Sequence, residues 1–335
     1  PQPASQDIPA GGNRWFTWTY SAAGAGSITV NGSVKGYAEY SKVTVTSAAT
    51  NSNEIMIYTP ANLVSSIYAE PSVRNIGQWF TVRMVVTNTG EVGANNVGPS
   101  ALIQSGTGGA VIISGPVPVS ATIGAGNVQV YTWTYSAGGN GSVVFGGNAI
   151  GYDANTGNTV TSATTQSNAE IIQKPASLTV NITGQPVIVG TGAEITVLVT
   201  VTNTGEATAT NVSVIELNDA PAGPPNGDAS YSGGPMPSAA TLAGGEAVVF
   251  TWTYTGVGVG FVNFTGRAAG TDANYGYNVT STAATSNNVE IRSAANLAIT
   301  NMVINPGVVS VGQNITLVMT VTNNGLGNAL SVVGE

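Results

Sequence analysis

Thr17-Trp18-Thr19-Tyr20 is the first of three copies of one tetrapeptide, and the second and third copies begin at Thr132 and Thr251, 115 and 119 residues further along in turn. Each copy extends a row in which every second residue is aromatic, because Phe16, Tyr131 and Phe250 precede the three tryptophans by two positions. Successive side chains of a β-strand point to opposite faces, so the rings of one copy share a face. Buried aromatic rings remove a large apolar area from water, and we predict that each row lies in a core. The predicted core aromatic residues are Trp18, Tyr20, Trp133, Tyr135, Trp252 and Tyr254.

Each tetrapeptide opens a series of strands that recurs three times. A Gly-rich turn follows it, and Gly supplies the positive φ angle that a tight hairpin needs. A second strand and a polar loop come next, and the series closes with a strand that follows Ser-Asn and carries an acid, interpreted as Glu54, Glu170 and Glu290. An exposed aromatic row would instead indicate a carbohydrate-binding module, but regular recurrence of Trp in a strand favours the core.

A second series begins at Leu63, Leu178 and Leu297 and contains a longer strand with an apolar residue at every second position. This alternation is typical of a half-buried antiparallel strand. All three long strands run into a turn of Asn and Gly, residues that tolerate such a turn. The turns are Asn88-Thr89-Gly90, Asn203-Thr204-Gly205 and Asn323-Asn324-Gly325.

The two series together give about seven short strands in roughly 100 residues, the pattern of an immunoglobulin-like sandwich. We therefore predict an all-β fold of tandem immunoglobulin-like β-sandwiches. Residues 61–175 and 176–294 each form a complete repeat, called unit 1 and unit 2 below. Residues 1–60 match the C-terminal part of a repeat and residues 295–335 the N-terminal part. They are called the N-terminal piece and the C-terminal piece.

The two pieces are complementary, and neither can bury its own strands, since each supplies only some strands of both layers. One interpretation is a processed or partial chain cut from a longer array of repeats. The other is that the C-terminal piece of one subunit completes the N-terminal piece of the next and builds a filament. Both interpretations remain open, and both give a linear string of sandwiches.

Composition excludes several classes of function. The 335 residues include no Cys and no His, so disulfides, thiol chemistry and the commonest zinc ligand and general base are missing. Only 7% of the residues are charged and the net charge is −8, which gives no basic patch for nucleic acid or an anionic membrane. The sequence contains no run of about 18 apolar residues, so no membrane span is predicted. No grouping of residues suggests a catalytic apparatus or a cofactor site, so we predict that the chain is not an enzyme.

The turn Asn-Thr-Gly-Glu, at residues 88–91 and 203–206, and the Asp-Ala-Asn segments at 153–155 and 272–274 resemble the tandem immunoglobulin-like repeats of prokaryotic surface proteins. These are the conserved-repeat and CARDB-like adhesion families. The resemblance implies an extracellular stalk, adhesin or appendage and brings no catalytic residues. The first copy departs from it, with Ala38-Glu39 at the Asp position, and the third has Leu326 in place of the turn Glu.

The Asp-Ala-Asn segments are also candidate calcium loops, because oxygen ligands stand two residues apart before a turn Gly. The later bidentate acid is missing, and an Asx turn explains both segments without an ion. The calcium candidates are Asp153, Asn155, Asp272 and Asn274.

Seven Asn-X-Ser/Thr sequons permit glycosylation, although about seven are expected by chance in a chain so rich in Asn, Ser and Thr. They are Asn31, Asn140, Asn181, Asn211, Asn263, Asn278 and Asn314. Isopeptide staples would need a Lys in every unit, and none of Lys35, Lys42 and Lys174 recurs.

These patterns predict a structural protein, an extracellular filament or stalk on a prokaryotic cell surface whose partners are copies of itself. The alternative is an adhesin that binds glycan or protein through the Pro/Gly-rich segment 221–237, which we expect to be a long loop.

Overall fold

The chain is folded entirely as strands and turns in a computed structural model that describes residues 1–335. No helix with the length and hydropathy needed to cross a membrane is present. One hydrophobic core draws its buried residues from positions 61–172, and a second draws them from positions 176–291. The predicted all-β fold of immunoglobulin-like β-sandwiches is confirmed.

The strand bounds follow the chain. The N-terminal piece contains β1 (Gly26–Ile28), β2 (Asn31–Gly32), β3 (Lys35–Tyr37), β4 (Thr44–Thr46), β5 (Thr50–Asn51) and β6 (Ile55–Ile57). Unit 1 contains β7 (Leu63–Glu70), β8 (Val73–Asn75), β9 (Trp79–Asn88), β10 (Ala94–Pro99), β11 (Ile103–Gly106), β12 (Gly109–Val117), β13 (Ala121–Ile123), β14 (Val128–Gly139), β15 (Gly141–Gly147), β16 (Ala149–Asp153), β17 (Thr159–Thr161), β18 (Thr165–Gln166) and β19 (Glu170–Gln173). Unit 2 contains β20 (Leu178–Gln185), β21 (Ile188–Gly190), β22 (Glu194–Asn203), β23 (Ala209–Pro221), β24 (Asp228–Met236), β25 (Ala240–Leu242), β26 (Ala247–Gly258), β27 (Gly260–Asp272), β28 (Asn278–Thr280), β29 (Ala284–Thr285) and β30 (Val289–Arg292). The C-terminal piece contains β31 (Leu297–Asn305) and β32 (Thr316–Asn323).

The tetrapeptide strand lies inside one four-stranded layer of each complete unit. The strand order of that layer is β12-β14-β9-β7 in unit 1 and β20-β22-β26-β24 in unit 2. Burial alternates along β14 and β26 as the period-two pattern predicts, with the aromatic residues inward and the threonines half-buried. Trp133 is 3% exposed, and the Tyr135 ring lies 4.6 Å from that of Phe145 in the opposite layer.

The opposite layer combines strands that follow the tetrapeptide with strands that precede it. In unit 2 its central strand, β27, is continuous from Gly260 to Asp272 and joins seven strands in one sheet. In unit 1 the equivalent stretch is divided into β15 and β16, which belong to separate sheets. A short parallel pair closes this layer in both units, β8 with β19 and β21 with β30.

The first tetrapeptide does not form a strand. Thr17 makes only an isolated bridge to Gln2, and Trp18 and Tyr20 are 54% and 69% exposed. The prediction of a core position is therefore wrong for these two residues in the single chain. The physical reason is that β14 and β26 are held by strands of the type of β9 and β22, whereas the corresponding strand β32 lies in the other terminal piece.

Two further sequence interpretations need correction. Gly141 pairs with Ile172, and Gly260 pairs with Ile291, so Glu170 is equivalent to Val289 and not to Glu290. The three acids therefore do not form one recurring position. The segment 221–237 is not a long loop, because residues 228–236 form β24 at the edge of a sheet, where Pro is tolerated.

Candidate functional site: the joint between successive units

The Asn that begins each recurring turn fixes the start of the unit to which it belongs. Asn203 is buried, and its Oδ1 accepts hydrogen bonds from the backbone N–H groups of Ser177 (3.1 Å) and Gly205 (3.1 Å). Its Nδ2 donates to the carbonyl oxygens of Ala207 (2.8 Å) and Leu242 (3.1 Å). Asn88 and Asn323 repeat the two bonds to Oδ1, so the turn joins the first strand of each unit to the long strand.

The Gly of the same turn permits the close approach of the linker between units. A Cβ atom at Gly205 would collide with the carbonyl oxygen of Pro175, and one at Gly90 with that of Pro60. The same holds for Gly325 against Ala294. Because a backbone carbonyl cannot move aside as a flexible side chain can, only Gly fits here.

The Glu of the turn binds the linker itself. Glu206 Oε2 accepts the backbone N–H of Lys174 at 3.0 Å, and the Lys174 Nζ lies 3.6 Å from Oε1. Glu91 accepts the backbone N–H of Thr59 at 2.7 Å in the preceding linker. At the third turn, where Leu326 replaces the Glu, its backbone N–H donates to Ser293 Oγ at 2.9 Å. The Asn-Thr-Gly-Glu motif is thus a clamp on the linker, which sequence reasoning recognised only as a turn.

The calcium candidates occupy the same joint. Asp153 Oδ2 accepts the backbone N–H of Ala61 at 2.8 Å, and Oδ1 accepts those of Asn155 and Thr156. These bonds, that from Ala61 above all, hold the pKa of Asp153 below its usual range, an effect that its burial opposes. No group of three metal-ligating side chains lies together in the structure. Since both carboxylate oxygens already accept protein donors, the geometry favours the Asx-turn interpretation.

Asp272 repeats this arrangement and adds bonds between the two units. Its Oδ2 accepts the backbone N–H of Ala176 at 2.7 Å and also the side-chain amide of Asn75 in unit 1 at 2.9 Å. Asn274 Nδ2 donates to Asn75 Oδ1 and to Gln173 Oε1, both at 2.8 Å. Asn75 is buried. A buried amide and carboxylate network therefore ties unit 2 to unit 1, beyond the covalent linker.

A cleft of about 770 Å³ opens beside this network. Its walls include Arg74, Gln78 and Trp79 of unit 1 and Tyr275 and Tyr277 of unit 2. Trp79 and Tyr277 are both 63% exposed, and the Gln78 Nε2 and Arg74 Nε atoms are buried without a hydrogen-bond partner. The exposed aromatic faces are chemically suited to a ligand that has apolar faces of its own.

A buried carboxyl lies deeper in unit 1. Glu170 is 0% exposed, and neither of its oxygens has a hydrogen-bond partner. Burial raises its pKa to about 7, and the charge of Arg74 offsets part of the shift. In unit 2, Val189 takes the position of Arg74 and Val289 takes the position of Glu170, as the matching strand pairs show. The sequence pattern of Ser-Asn followed by an acid gave no sign of this burial.

The sequon residues are spread over the chain. All are exposed except Asn263, which is half-buried in β27. Asn140 donates to Glu206 Oε1 of unit 2 at 2.9 Å, so this sequon belongs to the joint. Of the three Lys residues considered for isopeptide bonds, Lys174 pairs with Glu206.

Comparison with known proteins gives the following matches. No protein-family model matches the chain, and no curated protein does, so the resemblance to conserved-repeat and CARDB-like families stays a prediction. Among solved structures, the Escherichia coli adhesin FdeC shares 15% identity over 80% of this chain and 76% of its own, with a TM-score of 0.28. The Yersinia pseudotuberculosis adhesin InvE shares 16% identity over 74% and 72%, with a TM-score of 0.23. Red sea bream transglutaminase shares 14% identity over 69% of this chain, which spans 31% of that protein, with a TM-score of 0.23.

Proposed function

We propose that this chain is a structural subunit of an extracellular filament or surface stalk, in which split half-units of successive copies complete each other head to tail. The observation that carries the proposal is the exposure of core-type side chains in both terminal pieces. Trp18 and Leu317 are 54% and 55% exposed, whereas their counterparts in unit 2, Trp252 and Val197, are buried. Exposed apolar surface on this scale marks a surface that a partner covers.

The joint supports a mechanical role. The clamp of Glu206 on the linker and the bonds of Asn274 to Asn75 and Gln173 restrict bending between unit 1 and unit 2. Few charged groups would be desolvated when such units pack side by side, because charged residues are scarce. A string of stiff, nearly neutral units suits a fibre, and the lack of His and Cys supports a role without catalysis.

Native mass and negative-stain microscopy test the proposal. At micromolar concentration we expect fibres that dissociate to single chains in denaturant and form again when it is removed. A homogeneous monomer across the same concentration range would contradict the proposal.

The cleft at the joint favours a second candidate function, a saccharide-binding adhesin. Trp79, Tyr275 and Tyr277 occur at this joint only, since the equivalent residues of the other unit are Glu194, Thr156 and Asn158. Binding of the chain to a glycan array, lost in Trp79→Ala and kept in Tyr231→Ala, would support it. Tyr231 is a suitable control because it is exposed on β24, away from the joint.

A further inference from the structure

We infer that a second copy of this chain covers each terminal piece in one strand register, which sets Leu317 of β32 opposite Trp18 of the neighbouring copy. This inference rests on the proposed head-to-tail assembly and specifies the surfaces that meet. It follows from a residue-by-residue match between the pieces and the two complete units.

The long strand and the tetrapeptide strand pair identically in both complete units. Val82 lies opposite Trp133 in unit 1, and Val197 lies opposite Trp252 in unit 2. Val82 and Val197 each stand six residues before the Asn of the recurring turn, and Leu317 stands six residues before Asn323. The same register in the split unit therefore places Leu317 opposite Trp18.

The edges that this pairing needs are free in the single chain. In unit 2, β22 has β20 on one side and β26 on the other. The equivalent strand β32 pairs with β31 alone, so its second edge lacks a neighbour. The first tetrapeptide has no strand partner either, apart from the bridge of Thr17 to Gln2. Unpaired strand edges with apolar side chains are the preferred sites of strand addition.

A second contact closes the opposite layer in the same register. In unit 2, Val189 of β21 lies opposite Ile291 of β30 in a parallel pair. Ile57 is equivalent to Ile291, because Gly26 and Gly260 pair with them in the same way. Val309 precedes Ile315 by six residues, as Val189 precedes Ile195. We therefore expect residues 308–310 of one copy to pair in parallel with β6 of the next, Val309 opposite Ile57.

The two pieces also stand at opposite ends of two complete units. A partner within the same chain would have to reach back past both units, and the clamped linkers oppose such a return. A second copy meets neither obstacle, since its own free piece is of the complementary type. Each free edge therefore fits the complementary piece of another copy.

Cysteine crosslinking tests the register, because the chain contains no natural Cys to interfere. Thr196 lies opposite Thr253 in unit 2, which places Thr316 opposite Thr19 in the split unit. Directly opposite residues have Cα atoms about 4.5–5.5 Å apart, within the range of a disulfide. Thr320 lies four residues further along β32, about 13 Å away, and serves as the mismatched control.

One copy carries Thr19→Cys and is mixed with a copy that carries either Thr316→Cys or Thr320→Cys. Under mild oxidation we expect a disulfide-linked dimer with Thr316→Cys, about tenfold more abundant than with Thr320→Cys. Fibres that crosslink through Thr320→Cys instead would overturn the register and leave head-to-tail assembly standing. A double variant Thr19→Cys/Thr316→Cys that closes within one chain, at monomer mass, would overturn the second copy as partner. Absence of both fibres and crosslinks would reject the assembly itself.

Discussion

The same aromatic row is buried in two regions of the molecule and exposed in a third. Trp133 and Trp252 are 3% and 6% exposed, whereas Trp18, in an identical tetrapeptide, is 54% exposed. The local sequence supplies strand propensity and an apolar face, but a neighbouring strand must supply the partner edge. The aromatic row is thus buried only where the N-terminal and C-terminal parts of a repeat are packed together.

The largest expected effect separates the buried rows from the exposed one. We expect Trp133→Ala to destabilise unit 1 by about 3–5 kcal/mol, because it leaves a cavity in the core. Trp18→Ala should leave both units unchanged and should reduce fibre formation, since Trp18 belongs to neither core. Hydrogen exchange during urea unfolding measures each unit through its own peptides, and unit 2 serves as the internal reference.

A loss of stability in unit 1 or unit 2 on Trp18→Ala would break the comparison. It would mean that the first row packs against a complete unit. Trp252→Ala provides the matched case, in which peptides of unit 2 alone should lose protection.

The next effect is the pH dependence of stability, which should differ between unit 1, with Glu170 on β19, and unit 2, with Val289 on β30. The folded pKa of Glu170, about 7, lies above its ordinary value of 4.5, so the folded unit binds the proton more tightly than the unfolded chain. The contribution of Glu170 to the stability of unit 1 should therefore be largest below pH 4.5, and about 3 kcal/mol of it should be lost as the pH rises to 7. Above about pH 8, where Glu170 is ionised in the folded unit as well, this contribution should be constant.

The variant Arg74→Val/Glu170→Val gives unit 1 the valine pair of unit 2. We expect it to stabilise unit 1 by about 1–4 kcal/mol at pH 8, because an apolar pair has no desolvation cost. Its stability should no longer fall between pH 4.5 and 7. Glu170→Val alone should gain less, since it leaves the half-buried Arg74 without the nearby carboxylate. Wild-type unit 1 with a flat profile over this range would contradict the assignment.

A smaller effect concerns the Asp at each joint. We expect Asp153→Ala to cost unit 1 about 1–3 kcal/mol, because the buried N–H of Ala61 and those of the turn lose their acceptor. The lowered pKa of Asp153 means that its contribution is present above its ordinary value of 3.8 and is lost as the pH falls further. Urea unfolding between pH 2 and pH 5 checks this, with Asp153→Ala lacking the acid-dependent loss.

The smallest expected effect on stability comes from the contacts of Asn274 across the joint, although their loss should change the angle between unit 1 and unit 2. Asn274→Ala removes two hydrogen bonds across the joint, whereas its equivalent in unit 1, Asn155, offers only its backbone N–H. We expect Asn274→Ala to cost about 1 kcal/mol or less and to widen the distribution of angles between units in electron micrographs. Asn155→Ala is the matched control, and an equal widening there would argue against the network.

The sequence predicts the parts of the fold that repeat with a strict period. Alternation around Trp133 and Trp252 gives the strand and its inward face, and the turns at Asn88 and Asn203 mark where the long strands end. Glu170 is missed because an acid near a strand end normally lies in solvent, and only the register with Val143 shows that it points inward. The joint is missed because the bonds of Asp272 and Asn75 join residues 197 positions apart.

Similar repeats in one chain can mispair while they fold, because the first half of one repeat can pack against the second half of another. Residues of the short parallel strand pairs distinguish the two units, because unit 1 has Arg74 and Glu170 where unit 2 has Val189 and Val289. A hybrid of Arg74 with Val289 would leave the half-buried guanidinium without a carboxylate, and one of Val189 with Glu170 would bury an acid with no cation nearby. We expect this mismatch to disfavour such hybrids. Arg74 and Glu170, which weaken unit 1 at neutral pH, would then also prevent unit 1 from exchanging strands with the other repeats.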